Sequence, residues 1–220
     1  MRWTVIVPMR ARAHAKSRLR AASDSDRAHL QLVDAIRHDC VTALRCAGAV
    51  ARVVVVAEQP AEIEGSGVTV LAEPPAAGLN GALRFAANEA ARRWPGDAIA
   101  AVVGDLAALR AADIDAALTA AGDFLRAAVL DRQGTGTTML TARPGCDLDP
   151  RFGPGSAQRH RASGAQILLA PPGLTTDVDT REDLVEAQRI GVGDRTALVL
   201  AARAAGRCVA NACTAAGSGE

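Results

Sequence analysis

The sequence has no tyrosine, and only two tryptophans and three phenylalanines among its 220 residues. A chain with so few rings must build its core from Ala, Val, Leu and Ile, and apolar residues do make up 49% of it. It has no run approaching the roughly 18 apolar residues that a membrane-spanning helix requires. Its start, Met1 to Pro8, is a strand-like run with basic residues after it, which is not the layout of a signal peptide. The net charge of +1 gives no excess of one sign, which argues against a broad nucleic-acid-binding face. The five cysteines, Cys40, Cys46, Cys146, Cys208 and Cys213, are odd in number and form no CxxC pair. They argue against a zinc site or a disulfide framework and fit a reducing cytoplasm. Lysine is almost missing: of 25 Lys plus Arg, Lys16 is the one lysine. A compact ammonium is not equivalent to a planar guanidinium at a tight phosphate site, which makes Lys16 a candidate for a specific contact. An incidental surface lysine is the plain alternative. There is no GxxxxGK[ST] loop, no GxGxxG after a strand, and no evident Ser–His nucleophile pair.

What is present reads as an alternation of buried strands and helices, with a length suited to one large domain or one domain with a small appendage. Trp3 to Val7, Arg52 to Ala57, Val68 to Ala72 and Ile99 to Asp105 are short apolar runs of the kind found in a parallel sheet. Leu32, Val33, Ile36, Cys40 and Leu44 recur at helical spacing within 27–47. Helices are also expected from about 80 to 94, over 111–121 and over 181–190. Further strands are expected over 127–131, 137–141 and 166–170. The fold class is thus α/β, and residues 1–208 are expected to form the domain. The Ala-, Gly- and Ser-rich residues 209–220 are expected to form a flexible tail.

Three acidic residues stand where ligands bind in such a fold. Asp105 ends a strand at the carboxyl edge of the sheet. In Leu174-Thr175-Thr176-Asp177-Val178-Asp179-Thr180 the two aspartates are two residues apart, so in an extended segment both side chains face one way. Converging carboxylates repel unless a cation lies between them, and hard oxygen ligands suit magnesium. The alternative is a helix cap, with Thr180 and Asp183 forming a capping box.

Basic and glycine-rich stretches supply the complement. Met9 to Leu19, with Arg10, Lys16 and Arg18, reads as a basic loop after the first strand. Gly78, Leu79 and Asn80 open a helix, where free N–H groups favour anions, although Asn80 as a simple N-cap fits equally. Gly134-Thr135-Gly136-Thr137-Thr138 can aim backbone N–H groups and hydroxyls at an oxyanion, or can form a hairpin turn. Gly153-Pro154-Gly155-Ser156 lies beside Arg151, Arg159, His160 and Arg161, again suiting a phosphate or carboxylate. Together these suit phosphoryl or nucleotidyl transfer, in which the protein chiefly positions reactants and neutralises charge. The absence of a general base fits an attacking phosphate, which is already ionised at a second pKa of about 6.

The segments VPMRARAHAKSRL, AAGLNGAL, VVGDLAAL, DRQGTGTTML, RFGPGSAQRH and DVDT-x-x-DL, taken in this order over residues 4 to 195, resemble the CofC/FbiD family. These are guanylyltransferases of coenzyme F-420 biosynthesis. The resemblance implies a single-domain, Rossmann-like nucleotidyltransferase sandwich with a mixed, mostly parallel sheet. It implies that the phosphate of a three-carbon phosphoacid attacks the α-phosphorus of GTP and expels pyrophosphate with Mg2+ as cofactor. Phosphoenolpyruvate is favoured by the RFGPGS-x-x-RHR-x-SGA segment, with 2-phospho-L-lactate or 3-phosphoglycerate as alternatives. By the same resemblance Asp105, Asp177 and Asp179 hold the metal. Thr138, Gly153 and Ser156, with Thr137 beside them, hold the phosphoacid. Arg10, Lys16 and Arg18 lie near the phosphates, and Gly78, Leu79 and Asn80 near the nucleotide. A downstream transferase is the partner to look for. The chain departs from the family's DLPAL at Ala107 and from its common Lys at Arg10. A molybdopterin or sugar-phosphate nucleotidyltransferase and a non-catalytic nucleotide-binding subunit remain as other readings.

Overall fold

The computed structural model describes residues 1–10, 19, 25–63 and 67–216, without the side chains of Glu62 and of residues 206–216. The apolar runs form strands and the 3.6-periodic stretches form helices between them. In chain order these are β1 (Trp3–Met9), α1 (Asp26–Cys46), β2 (Val50–Ala57), β3 (Thr69–Ala72), α2 (Gly78–Arg93), β4 (Ala98–Val102), α3 (Ala111–Ala121), β5 (Arg126–Leu130), β6 (Thr137–Ala142), α4 (Ser156–Ala162), β7 (Gln166–Leu168), α5 (Pro172–Thr175), α6 (Arg181–Ile190) and α7 (Asp194–Ala216).

The seven strands make one sheet in the order β3-β2-β1-β4-β6-β5-β7. Every neighbouring pair is parallel except those of β6, which runs against both β4 and β5. The order reverses beside β1: β2 and β3 add on one side, β4 on the other. In an open α/β sheet the crevice outside the carboxyl ends at such a reversal receives ligands. Because β6 is reversed, its first residues, Thr137 and Thr138, reach this same edge.

Alternation along the strands divides the core in two. Val5, Val7, Val53, Val55 and Val102 face α1 and α3, where Cys40, Leu44, Ile114 and Leu118 are buried. Ile6, Val54, Val56, Ala101 and Leu140 face α2, which offers Ala82, Leu83, Ala86, Ala87 and Ala90. The alanines replace the missing rings by letting the helix approach the sheet closely, since interiors are close-packed whatever residues fill them. A smaller cluster of Leu19, Leu32, Ile36, Ala107, Ala108, Val178 and Leu184 joins α1 and α6 beneath the loop after β4.

Two helices depart from expectation. The four-residue α5 starts within the Pro171-Pro172 pair and is too short to show a period. Helix α7 runs from Asp194 to Ala216, a stretch for which the sequence reading offers no helix. Its first turn is capped by a residue distant in sequence: the Asp39 carboxylate accepts from the Arg195 and Thr196 N–H groups at 3.2 and 2.8 Å. Among the described residues Cys40, Cys46 and Cys146 are free thiols, and no helix is long and apolar enough to cross a membrane.

Candidate active site

Carboxylates from two separate stretches meet at the sheet edge. After β4 the chain passes Gly104, where a Cβ would lie 3.1 Å from Val7 Cγ1, and reaches Asp105. The second stretch leaves α5 and runs to α6. It is docked on the first by the Val178 N–H, which donates to the Asp105 carbonyl at 3.1 Å. Gly173 permits this approach: a Cβ there would stand 2.6 Å from the Ala108 carbonyl oxygen and 2.4 Å from Asp113 Oδ2. Asp177 and Asp179 then face Asp105, with one oxygen from each of the three carboxylates within 4.8 Å of the others. A divalent cation with oxygen ligands at about 2.1–2.5 Å spans about 4–5 Å between opposite ligands, so the three oxygens fit one ion after small side-chain rotations.

The helix cap and the converging carboxylates prove compatible. Thr180 Oγ1 accepts from the Asp183 N–H at 3.2 Å, while Asp183 Oδ2 accepts from the Thr180 N–H at 3.0 Å and its hydroxyl at 2.8 Å. Burial pushes the Asp183 carboxyl up, but hydrogen bonds from Thr180, Asp179 and Arg132 outweigh it and hold the group below the usual carboxylate range. The capping box is thus made by Thr180 and Asp183, not by Asp177 or Asp179. Beneath it the Cys40 thiol lies 3.6 Å from the Val103 carbonyl. Burial, reinforced by the Asp105 charge, pushes that thiol up to about 12, so it is a neutral core group and not a nucleophile.

On the β1–β3 side a cavity of about 230 Å³ is lined by Met9, Arg10, Glu58, Glu73, Gly78 and Leu79 among others. Arg10 is exposed there, and its carbonyl accepts from Arg37 at 2.8 Å. Lys16 and Arg18, with most of the basic loop, lie outside the described residues. Asn80 is the third residue of α2 and not its N-cap, and its amide grips the Phe152 backbone. Oδ1 accepts the Phe152 N–H at 2.7 Å and Nδ2 donates to the Phe152 carbonyl at 3.0 Å.

On the β5–β7 side the hairpin alternative holds for the Gly-Thr loop, since β5 and β6 pair antiparallel around it. The loop does cradle an oxyanion, but the anion is the protein's own. The Thr135 and Gly136 N–H groups donate to the Asp131 carboxylate at 2.8 and 2.7 Å. The arginines of the second glycine-rich turn likewise serve the fold. Arg159 donates to the carbonyls of Arg151 and Pro154, and Arg151 pairs with Asp149 at 3.1 Å. Gly153 has φ +115° and Gly155 φ +72°, backbone conformations in which glycine is at ease. Ser156 is buried at the start of α4, and the Ala157 N–H donates to the Thr135 carbonyl at 3.2 Å, joining the two turns. Buried Thr138 places its hydroxyl 3.5 Å from the Val129 carbonyl, and its own carbonyl accepts from the Val103 N–H at 3.0 Å, two residues before Asp105.

His160 is fully buried between these pieces. Its Nε2 accepts the Arg151 N–H at 2.9 Å, and its Nδ1 lies 2.9 Å from Thr137 Oγ1. Burial, helped by Arg126 and Arg159, lowers its pKa to about 4, so the ring is neutral near pH 7. With Nε2 accepting, the proton is on Nδ1 and is donated to Thr137. Sequence reasoning missed the Asp131 cradle, the Asn80–Phe152 grip and Gly173. The one available signal was a phenylalanine, rare in this chain, set directly before a flexible glycine.

A family model described as "Guanylyl transferase CofC like" matches residues 3–201. A phosphoenolpyruvate guanylyltransferase of Salinispora arenicola is 47% identical over 215 residues, covering 94% of this chain and 98% of that protein. One from Streptomyces coelicolor is 43% identical, covering 91% and 97%. Among solved structures, a Desulfovibrio desulfuricans protein assigned as a nucleotide-diphospho-sugar transferase superposes with a TM-score of 0.72 at 16% identity, covering 93% of this chain and 96% of that one. A Mycobacterium tuberculosis protein, Rv0371C, solved as a complex with manganese, gives 0.55 at 19% identity, covering 86% and 99%.

Proposed function

The chain belongs to the CofC-like guanylyl transferase family, and we propose that it joins the phosphate of phosphoenolpyruvate to the GMP moiety of GTP. The observation that carries this reading is the convergence of Asp105, Asp177 and Asp179 within 4.8 Å at the reversal point of the sheet. The relatives' names support the choice of acceptor and nucleotide. An oxygen of the acceptor phosphate forms a bond to the α-phosphorus of GTP. The bond from that phosphorus to the α–β bridging oxygen breaks, and pyrophosphate leaves with that oxygen. The attacking phosphate is ionised at neutral pH, so no side chain need remove a proton.

In this proposal the three aspartates hold a divalent ion, and magnesium is the ion we assign. A bound cation supplies neutralisation of the charge gathered on the triphosphate. A protein sharing the fold was solved as a complex with manganese, which is in keeping with use of a divalent ion. Arg10, Lys16 and Arg18 bring positive charge to the phosphates, and Gly78 and Leu79 line the nucleotide cavity. Thr137, Thr138, Gly153 and Ser156 receive the phosphoacid. The product is guanosine and enolpyruvate joined through one diphosphate, to be consumed by a transferase of coenzyme F-420 assembly in a reducing cytoplasm.

The test is pyrophosphate release from GTP and magnesium with phosphoenolpyruvate, 2-phospho-L-lactate or 3-phosphoglycerate in turn. Release with phosphoenolpyruvate alone supports the proposal. Release with another of the three moves the acceptor assignment, and inactivity with all three removes the reading.

A further inference from the structure

Four consecutive backbone polar groups beside the acceptor turn are held by side chains from elsewhere in the fold. The Arg151 N–H is taken by His160 and the Arg151 carbonyl by Arg159. The Phe152 N–H and carbonyl are both taken by Asn80, 72 residues away on α2. The Phe152 ring also stands edge-on to His160, with centroids 5.1 Å apart and planes at 72°. Residue 153, next along the chain, is the glycine assigned to the acceptor. A buried backbone needs partners, but a turn at a surface usually finds them in water. Anchoring both groups of two successive residues from two helices fixes the direction in which the chain enters Gly153.

His160 adds a direction to the hydrogen bonds. The Arg151 N–H can only donate, so Nε2 must accept and Nδ1 must carry the proton. That proton goes to Thr137 Oγ1, whose own hydrogen is then turned away from the imidazole. Thr137 opens β6 at the ligand edge, so its hydroxyl is set to donate onward to an anion.

We propose that Asn80 and His160 are positioning residues for the phosphoacid subsite, holding the Arg151–Phe152 backbone and orienting the Thr137 hydroxyl toward the acceptor. This rests on the reading above that Thr137 and Gly153 receive the phosphoacid. It gives the Asn of the Gly78-Leu79-Asn80 segment a task on the acceptor, although the segment itself lines the nucleotide cavity.

The experiment is steady-state pyrophosphate release with GTP and phosphoenolpyruvate varied separately, on the wild type, Asn80→Ala, Asn80→Asp, His160→Gln and His160→Asn. Asn80→Asp keeps the size and the acceptor but replaces the donor by a charged oxygen that repels the Phe152 carbonyl, so it tests the grip should the alanine variant fold poorly. The Asn80 variants are expected to raise the KM for phosphoenolpyruvate about tenfold, the scale of one or two lost hydrogen bonds, and to leave the KM for GTP within about twofold. His160→Asn restores a donor near the Nδ1 position. It should retain more acceptor affinity than His160→Gln, which restores only the acceptor near Nε2. Amide exchange at Phe152, read without turnover, should quicken in Asn80→Ala. A raised KM for GTP with an unchanged KM for phosphoenolpyruvate, or unchanged exchange at Phe152, overturns the proposal. A wild type inactive with every phosphoacid instead sinks the reading beneath it.

Discussion

Among single residues, Asp177 and Asp179 illustrate what two-residue spacing does in an extended segment, placing both carboxyl groups on one side toward Asp105. Asp177→Asn is expected to lower turnover by roughly two to three orders of magnitude, the scale of losing one electrostatic contact to the transition state. Its melting temperature should stay close to that of the wild type, since removing one of several gathered like charges relieves repulsion; activity equal to wild type would refute the assignment. His160 supplies a pH test. The folded ring binds its proton only near pH 4, whereas an unfolded histidine does so near 6.5. Between those values the unfolded state holds more protons, so stability falls as pH is lowered through this window and is whole above it. Arg126, Arg159 and Arg151 oppose the added charge and Asp149 favours it. Denaturant unfolding at pH 7, 5.5 and 4.5 should show a flatter slope in His160→Gln; an unchanged slope would contradict the buried neutral ring. The aspartates were legible because their role needs only residue type and spacing. The tasks of Asn80, Arg159 and Asp131 were not, because each depends on which backbone group the fold delivers to it.

For the elements, the question is how the two acidic stretches are kept together. Gly173→Ala would drive a methyl into the Ala108 carbonyl and the Asp113 carboxylate. It is expected to destabilise the protein by about 1–3 kcal/mol in chemical denaturation and to lower metal affinity as the stretches part. Tolerance of alanine in both measurements would mean the close approach does not matter. Asp183→Ala removes the side-chain half of the α6 capping box that Asp183 supplies, and the partner of Arg132, a 3.3 Å ion pair. A loss of about 1–2 kcal/mol is expected, with the damage to activity smaller than for Asp177→Asn. Helices α1, α2 and α3 were legible in the sequence, and α6 begins and ends where its capping box and Gly191 put it. Helix α5 was not legible, being shorter than any period. Helix α7 was hidden because its first-turn partner, Asp39, sits 156 residues away.

At the scale of the whole molecule, the alternation of strands and helices indicated the α/β class, and the sheet with helices on both faces agrees with it. The reversal of β6 was legible through the hairpin turn before it, but the strand order was not, because pairing between distant strands leaves no trace in a single sequence. The core lies inside the sheet and its helices, while the candidate metal ligands sit on loops at one edge. Chelation with EDTA is therefore expected to stop pyrophosphate release and leave the far-UV circular dichroism unchanged, with activity restored by excess magnesium. Loss of secondary structure on chelation would instead make the ion a structural one.

The reversed strand divides the labour of the chain unevenly. Every residue proposed for the acceptor apart from Asn80 lies in one unbroken stretch, from the hairpin at Arg126 to β7 at Leu168, while the candidate nucleotide and metal ligands come from both sides of it. Acceptor choice can therefore drift by changes within a single cassette, with Asn80 as the bolt that any transplanted cassette must still accept.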